Sequence, residues 1–183
     1  MRKSLVAGGV LALLGSAAMP AQSVSNYYGY GAAASRILAA HNHERARMGV
    51  APLRWDPQLA ASAASYGPAL ARIGGLRHSA RSVSRGQREN LWMGSRGAYS
   101  PEQMVQYWIA EKAYYRPGMP FPHVSRTGNW ADVAHYTQVV WKGTTHVGCA
   151  LHPSAKWDYL ICRYSPPGNV DGRTAIQSRG CHK

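Results

Sequence analysis

The sequence predicts an α+β protein in which a small antiparallel sheet lies between two layers of helices. The first two-thirds of the chain contains segments with apolar residues at helical spacing, bounded by capping residues and glycines. Two extended apolar segments near the C-terminal end are typical of paired strands. Because helices and strands alternate irregularly, we expect a three-layer α-β-α sandwich.

The N-terminal residues predict export and then a flexible leader. Met1-Arg2-Lys3 is a basic start, and the apolar segment over residues 5–14 is too short to span a bilayer. Small residues follow, so we expect residues 1–21 to be a signal peptide cleaved within 18–23, with an uncleaved anchor as the alternative. Residues 22–34 are rich in Gly, Tyr and Ala and have little reason to order. The protein is therefore expected to be secreted or periplasmic.

Three helices are predicted after the leader, and a short fourth helix is predicted over residues 132–141. Apolar residues at helical spacing predict the first helix over residues 33–48. Asp56-Pro57 combines an N-cap with a first-turn proline, so a second helix begins there and ends before Gly74. Ser100-Pro101 opens a third helix in the same way.

A hairpin is predicted near the C-terminal end, with strands at residues 147–151 and 159–164. Cys149 and Cys162 lie on these strands. Two cysteines on paired strands can meet disulfide geometry and export permits oxidation, so we expect a Cys149–Cys162 bond. Cys181 is the odd cysteine, left free or pairing between chains.

The length and the net charge of the chain limit the kinds of partner that it can bind. Residues 35–172 are enough for one domain with its own core, followed by a tail over 173–183. Lys and Arg number 21 against 8 Asp and Glu, and loss of Arg2 and Lys3 with the signal lowers the net charge from +13 to about +11. That charge favours anionic surfaces or polysaccharide. No recognition helix or base-stacking module accompanies the scattered basic residues, so we expect no specific nucleic-acid binding.

Four ionisable residues are candidates for chemistry: His78, Glu89, Glu111 and His135. Glu111 lies at helical spacing from Trp108, on a face that should be buried, and a buried carboxylate is costly unless it is paired. His135 begins a short helix whose other residues are core types. On pattern alone, four such residues are more often separate structural or surface residues than one site.

Several motifs, taken in order, resemble one known family. They are His41-Asn42-His43-Glu44-Arg45, Arg88-Glu89-Asn90-Leu91-Trp92, Trp108 with Glu111, Ala134-His135-Tyr136-Thr137-Gln138 and Pro166-Pro167-Gly168-Asn169. Over residues 37–172 they resemble the SCP domain of the CAP superfamily (cysteine-rich secretory proteins, antigen 5 and pathogenesis-related class 1 proteins), closest in style to the pathogenesis-related branch. Arg88 and Ala134 each stand where the family usually has Gly.

The resemblance implies a CAP/SCP-like fold with a central cleft lined by His78, Glu89, Glu111 and His135. Two imidazoles and two carboxylates suit a divalent cation. The resemblance therefore implies zinc or another divalent ion held by His78 and His135, with Glu89 and Glu111 in support, and no organic cofactor.

The pathogenesis-related branch also implies a small apolar ligand such as a sterol or fatty acid. Trp92 and Tyr136 are the candidate aromatic residues of the cleft, and the loop over residues 114–129 is its candidate lip. These aromatic residues equally fit an ordinary core.

Two other functions remain open. A secreted hydrolase would use the same four residues, through zinc-bound water or a Ser-His-Glu set. Ser79 and Ser95 are the nearby serines, but neither has the context of a nucleophile elbow. A fold does not give an activity, so we expect a binding protein rather than an enzyme. The third function is a non-enzymatic defence or virulence protein that acts on anionic cell surfaces, as a monomer or weak dimer.

Overall fold

The computed structural model describes residues 21–80 and 86–176. In chain order its helices and strands are α1 (Ala21–Arg47), β1 (Arg54–Trp55), α2 (Pro57–Ile73), β2 (Arg88–Ser95), α3 (Pro101–Ala110), α4 (Ala134–Val139), β3 (His146–Pro153) and β4 (Trp157–Ser165). Two 3-10 helices, Glu111–Tyr114 and Trp130–Val133, follow α3 and precede α4.

The sheet has the strand order β1-β3-β4-β2. β3 and β2 both run antiparallel to β4, which confirms the predicted antiparallel hairpin. β1 adds two residues to the outer edge of β3 in parallel orientation, so the sheet is mixed rather than purely antiparallel.

Helices cover both faces of the sheet, which confirms the three-layer α-β-α class. Along β4, Leu160 and Cys162 pack with the core residues of α1, α3 and α4. Tyr159 and Ile161 point the other way and pack against α2. The alternation follows from the two-residue side-chain period of a strand.

The capping signals place the helices where the sequence predicts them. The Asp56 carboxylate accepts hydrogen bonds from the amides of the first turn of α2, and Gly74 ends that helix in the left-handed conformation. Ser100 and Gln103 form a reciprocal capping box at the start of α3. α3 ends at Ala110, however, so Glu111 begins a 3-10 helix instead of continuing the predicted helical face.

The domain is longer than predicted at both ends. Residues 22–34, predicted to be a flexible leader, lie within the first turns of α1. Ala175 and Ile176, assigned to the tail, are buried, and the Lys142 amide donates to the Ala175 carbonyl at 2.8 Å. The signal peptide and Cys181 lie outside the described residues. No described helix is both long and apolar enough to cross a membrane.

The predicted disulfide is confirmed. Cys149 on β3 and Cys162 on β4 are directly opposite each other in the strand register and form a bond. Both cysteines are buried in the core between the sheet and α1.

Candidate functional site

A cleft of about 450 Å³ lies beside β2, the start of α4 and the turn that follows β4. It is lined by three of the four predicted residues, namely His78, Glu89 and His135. Glu111 does not line the cleft itself but reaches it through a hydrogen bond to His135. The structure thus brings the four residues together as two imidazole–carboxylate pairs.

The first pair is His135 with Glu111. The Nδ1 atom of His135 is 2.6 Å from Glu111 Oε1, and the backbone amides of His135 and Tyr136 both donate to Glu111 Oε2 at 3.0 Å. The indole of Trp108 stacks on the imidazole, with centroids 6.1 Å apart and planes at 16°. Glu111 therefore has the partners that its position was predicted to need, and it fixes the ring orientation of His135.

The second pair is His78 with Glu89. His78 Nδ1 is 2.9 Å from Glu89 Oε1, which also accepts from the Ser79 amide at 3.0 Å. Glu89 Oε2 accepts from the Ser79 hydroxyl at 2.9 Å and from Arg163 Nη2 at 3.3 Å. The carboxylate is buried while the His78 side chain is 63% exposed, so the pair joins the protein interior to solvent.

The Glu89 carboxylate is held in its ionised form. Burial alone raises the pKa of a carboxyl, but the hydrogen bonds from His78 and Ser79 and the charge of Arg163 outweigh it. The pKa of Glu89 lies below its ordinary value of 4.5 as a result. Glu89 thus stays a hydrogen-bond acceptor for His78 at neutral pH.

The two pairs fit an open divalent-cation site. Each histidine uses Nδ1 toward a carboxylate, which leaves the lone pair of neutral Nε2 for a ligand, as metal-binding histidines commonly do. Neither Nε2 atom has a partner within the described ranges, and both residues line the same cleft. In the described part of the chain, no three His, Cys, Asp or Glu side chains form a metal cage.

Trp92 and Tyr136 are not cleft residues, contrary to the prediction. Trp92 lies in the core and contacts the rings of Tyr99 and Tyr107. Tyr136 is fully buried, and its hydroxyl donates to Glu44 at 3.2 Å. Successive residues of a helix point about 100° apart, so Tyr136 faces the core when His135 faces the cleft.

Other aromatic residues take their place in the cleft. Phe121, from the predicted lip, and Trp130, just beyond it, both line the cavity. Most of the remaining wall is polar and includes Gln87, Asn169 and Asp171. The cleft is therefore more polar than a sterol or fatty-acid pocket of the usual kind.

Arg88, which replaces the Gly that is usual in the family, fastens the turn after β4. Its Nε and Nη2 atoms donate to the carbonyls of Gly168 and Asn169, both at 2.9 Å. Asn169 has a positive φ of 51°, and its side-chain Nδ2 donates to the Ala134 carbonyl at 2.8 Å. This turn is thus tied to the helix that presents His135.

A buried relay behind the cleft was missed by sequence reasoning. Asn90 Nδ2 donates to the His135 carbonyl at 3.1 Å and to the Tyr164 hydroxyl at 3.2 Å. That hydroxyl is 2.9 Å from His41 Nε2, and His41 Nδ1 is 2.8 Å from the Ile37 carbonyl. A carbonyl can only accept, so His41 donates from Nδ1 and accepts at Nε2. Burial lowers the pKa of His41 to about 4, which keeps it neutral.

Arg45 and Arg163 are two further residues that the sequence did not single out. The Arg45 guanidinium donates to the carbonyls of Val139, Trp141, Thr144 and Ala51, and so fixes the end of α4 against α1. Burial lowers the pKa of Arg45 to about 10. Arg163 is fully buried beside Glu89. The place of Arg45 in the first motif was its only signal, and Arg163 had none, since charged residues usually indicate a surface.

Comparisons with known proteins agree with this architecture. Residues 38–164 match the sequence model of CAP, the cysteine-rich secretory protein family. Pathogenesis-related protein 1C of Nicotiana tabacum is 42% identical over 139 residues, which is 75% of this chain and 77% of that protein. Secreted protein RBT4 of Candida albicans is 36% identical over 143 residues, which is 76% of this chain and 36% of RBT4.

A solved structure supports the same fold. The crystal structure of NaASP2 with Zn²⁺ has a TM-score of 0.67 and 22% sequence identity, covering 78% of this chain and 84% of that chain. The matched sequence model and the tobacco relative show that this chain belongs to the CAP family, in its pathogenesis-related branch.

Proposed function

We propose that this chain is an exported CAP protein whose cleft binds a divalent cation, foremost zinc, through His78 and His135. One observation carries the proposal: two histidines line one cleft, and each directs Nδ1 at a carboxylate. A carboxylate behind the imidazole orients the ring and makes Nε2 a better ligand. The crystal structure of NaASP2 with Zn²⁺ gives support from a protein of the same fold.

The protein's own residues would set the strength of such binding. Zinc supplies a Lewis acid that accepts the imidazole lone pairs. Glu89 and Glu111 hold the rings in place, and Asn90 fixes the backbone of His135. Two protein ligands in a solvent-open cleft make a weaker site than the four ligands of a structural zinc site.

Isothermal titration calorimetry with Zn²⁺ tests this proposal. His78→Ala and His135→Ala should each abolish most of the heat, because each removes one of two ligands. His43→Ala is the matched control, since His43 is exposed on α1 and does not line the cleft. Zinc uptake that survives both cleft substitutions would contradict the proposal.

The geometry supports binding more than hydrolysis. The Ser79 hydroxyl donates to Glu89, and among the described residues no serine side chain is hydrogen-bonded to His78 or His135. Glu89 is a weak general base at neutral pH because its pKa lies below the usual range. A metal-dependent hydrolase would therefore have to work with a poor base.

A second candidate function is binding of an apolar chain, at a different place from the cleft. A groove of about 380 Å³ lies between α1 and α2, and β3 forms its floor. We call it the α1–α2 groove; its lining is apolar and includes Ile37, Trp55, Ala61 and Leu151. Its walls suit a fatty acyl chain better than the polar cleft does.

Displacement of a fluorescent fatty acid, cis-parinaric acid, tests the α1–α2 groove. Ala61→Arg should weaken binding, because Ala61 lines the groove and a long charged side chain would fill it. Ser65→Arg, an exposed position on the same helix outside the groove, should leave binding unchanged. Equal affinity of the two variants would rule the groove out.

Export is part of the proposal. The family description names secretory proteins, the relative RBT4 is called secreted, and the Cys149–Cys162 bond suits an oxidising compartment. The net charge of +13 on the whole chain supports a role at anionic cell surfaces. Cleavage within residues 18–23 predicts that N-terminal sequencing of the exported protein finds a start within residues 19–24.

A further inference from the structure

One wall of the cleft is an aromatic surface that the cation site does not use. Trp130 lines the cleft and is 47% exposed. Its indole packs against buried Phe121, with centroids 5.4 Å apart and planes at 60°. Asn129 caps the 3-10 helix that Trp130 begins, by accepting from the Ala131 amide. The indole is therefore supported from behind and offers a ring surface to a ligand.

Two polar groups in the same cleft have unused hydrogen-bonding capacity. The Gln87 Oε1 atom is buried and has no hydrogen-bond partner within the described ranges. The Asp171 carboxylate also lines the cleft and forms no ion pair with any described residue. A buried acceptor without a partner is rare in folded proteins and calls for an explanation. A ligand that donates hydrogen bonds would reach the exposed Asp171 carboxylate directly, whereas Gln87 would have to turn its buried oxygen toward the cleft.

The charges around the cleft are of both signs. Glu89 is offset by Arg163, which lies behind it. Arg88 and Asp171 line the cleft with opposite signs, and Arg88 already donates to the Gly168 and Asn169 carbonyls. The wall therefore offers a ligand one group of each sign, so hydrogen bonding rather than net charge would select it.

We propose that the cleft binds a neutral β-linked saccharide, with one pyranose ring stacked on Trp130 and its hydroxyls donating to the exposed Asp171 carboxylate. In a gluco-configured pyranose the substituents are equatorial, so both faces of the ring are apolar and its rim carries the hydroxyls. That pattern matches an indole wall beside polar acceptors. The cleft volume of about 450 Å³ lies within the range of pockets that hold small ligands. This inference goes beyond the proposed cation site, because it uses neither imidazole.

Titration of the ¹⁵N-labelled protein with cellotriose and with chitotriose tests the inference. The Trp130 indole N–H signal should shift on addition of trisaccharide. Trp130→Ala should lower the affinity by about tenfold, as truncation of a central aromatic contact does, and Trp130→Phe should retain most of it. Tyr107→Ala is the control, because Tyr107 is 52% exposed on α3 and lies outside the cleft.

The outcome is separable from that of the cation proposal. Trp130→Ala should take up zinc like the parent, and the His78→Ala/His135→Ala double variant should bind trisaccharide within about twofold of the parent. A shift of the Trp130 signal with chitotriose alone would support the inference and show that the protein recognises the C2 acetamido group. No shift at Trp130 with either sugar at millimolar concentration, or unchanged affinity in Trp130→Ala, would overturn it whatever zinc does.

Discussion

Substitution of Arg163 by methionine should be among the most destabilising single changes in this protein. The Arg163 side chain is 0% exposed and that of Glu89 only 5%, with Nη2 and Oε2 3.3 Å apart. The same guanidinium donates to Ser62 on α2 at 3.0 Å and to Ser79 at 3.3 Å. Methionine fills similar space but leaves the Glu89 carboxylate buried without its cation. Breaking a buried ion pair in this way costs about 3–5 kcal/mol.

That cost is large against a typical folding stability of about 5–15 kcal/mol. For a domain of this size it corresponds to a fall in Tm of about 6–20 °C. Urea denaturation followed by circular dichroism measures the free energy of unfolding directly. Arg54→Met is the matched control, because Arg54 is an exposed arginine on strand β1. It should change stability by less than about 0.5 kcal/mol.

A double-mutant cycle separates the ion pair from the other contacts of Arg163. Arg163→Met/Glu89→Gln removes both charges, so it should cost less than the sum of the two single changes by about 0.5–3 kcal/mol. If Arg163→Met lies within about 1 kcal/mol of the parent, or if the cycle is additive, the pair does not stabilise the site as argued.

Three further predictions concern the core. Burial lowers the pKa of His41 to about 4, so below about pH 6.5 the unfolded chain binds a proton that the folded chain does not bind. The free energy of unfolding should therefore fall by about 3 kcal/mol between pH 7 and pH 4. Urea denaturation at several pH values should show a smaller fall for His41→Gln. The buried Tyr159 hydroxyl has no hydrogen-bond partner within the described ranges, so Tyr159→Phe should stabilise the protein by about 1 kcal/mol, and a lower urea midpoint would contradict this. Replacing Cys149 and Cys162 by alanine opens a loop with a sequence separation of 13, which should lower the free energy of unfolding by about 3 kcal/mol and so lower the Tm. An unchanged melting curve under oxidising conditions would show that the bond does not form.

Local signals were enough to predict most of the fold. Asp56-Pro57 and Ser100-Pro101 begin helices because side-chain caps and proline act within one turn. The hairpin and its disulfide followed from two extended segments that are close in sequence. Residues 22–34 were predicted to be a leader because a Gly- and Tyr-rich segment has weak helical preference by itself, whereas in the structure their helix continues from the packed turn around Ile37.

The candidate site was less accessible to local reasoning. Glu89 and His135 are 46 positions apart, and only the resemblance to a family placed them in one cleft. The same resemblance led to an error at Tyr136, because a motif identifies neighbours in sequence but not the direction of each side chain. Arg163 was missed for a related reason: only the register of β2 against β4 places it opposite Glu89.

The two imidazole–carboxylate pairs are held by different parts of the molecule. His135 and Glu111 belong to the layer of α1, α3 and α4, where Trp108 stacks on the imidazole. Glu89 and His78 are fastened on the other side of the sheet, where Arg163 reaches Ser62 of α2. A cation bound to both imidazoles would therefore join the two helical layers across the end of the sheet. Because a ligand that binds only the folded state stabilises it by mass action, zinc should raise the Tm of the parent, and the loss of either histidine should remove that increase.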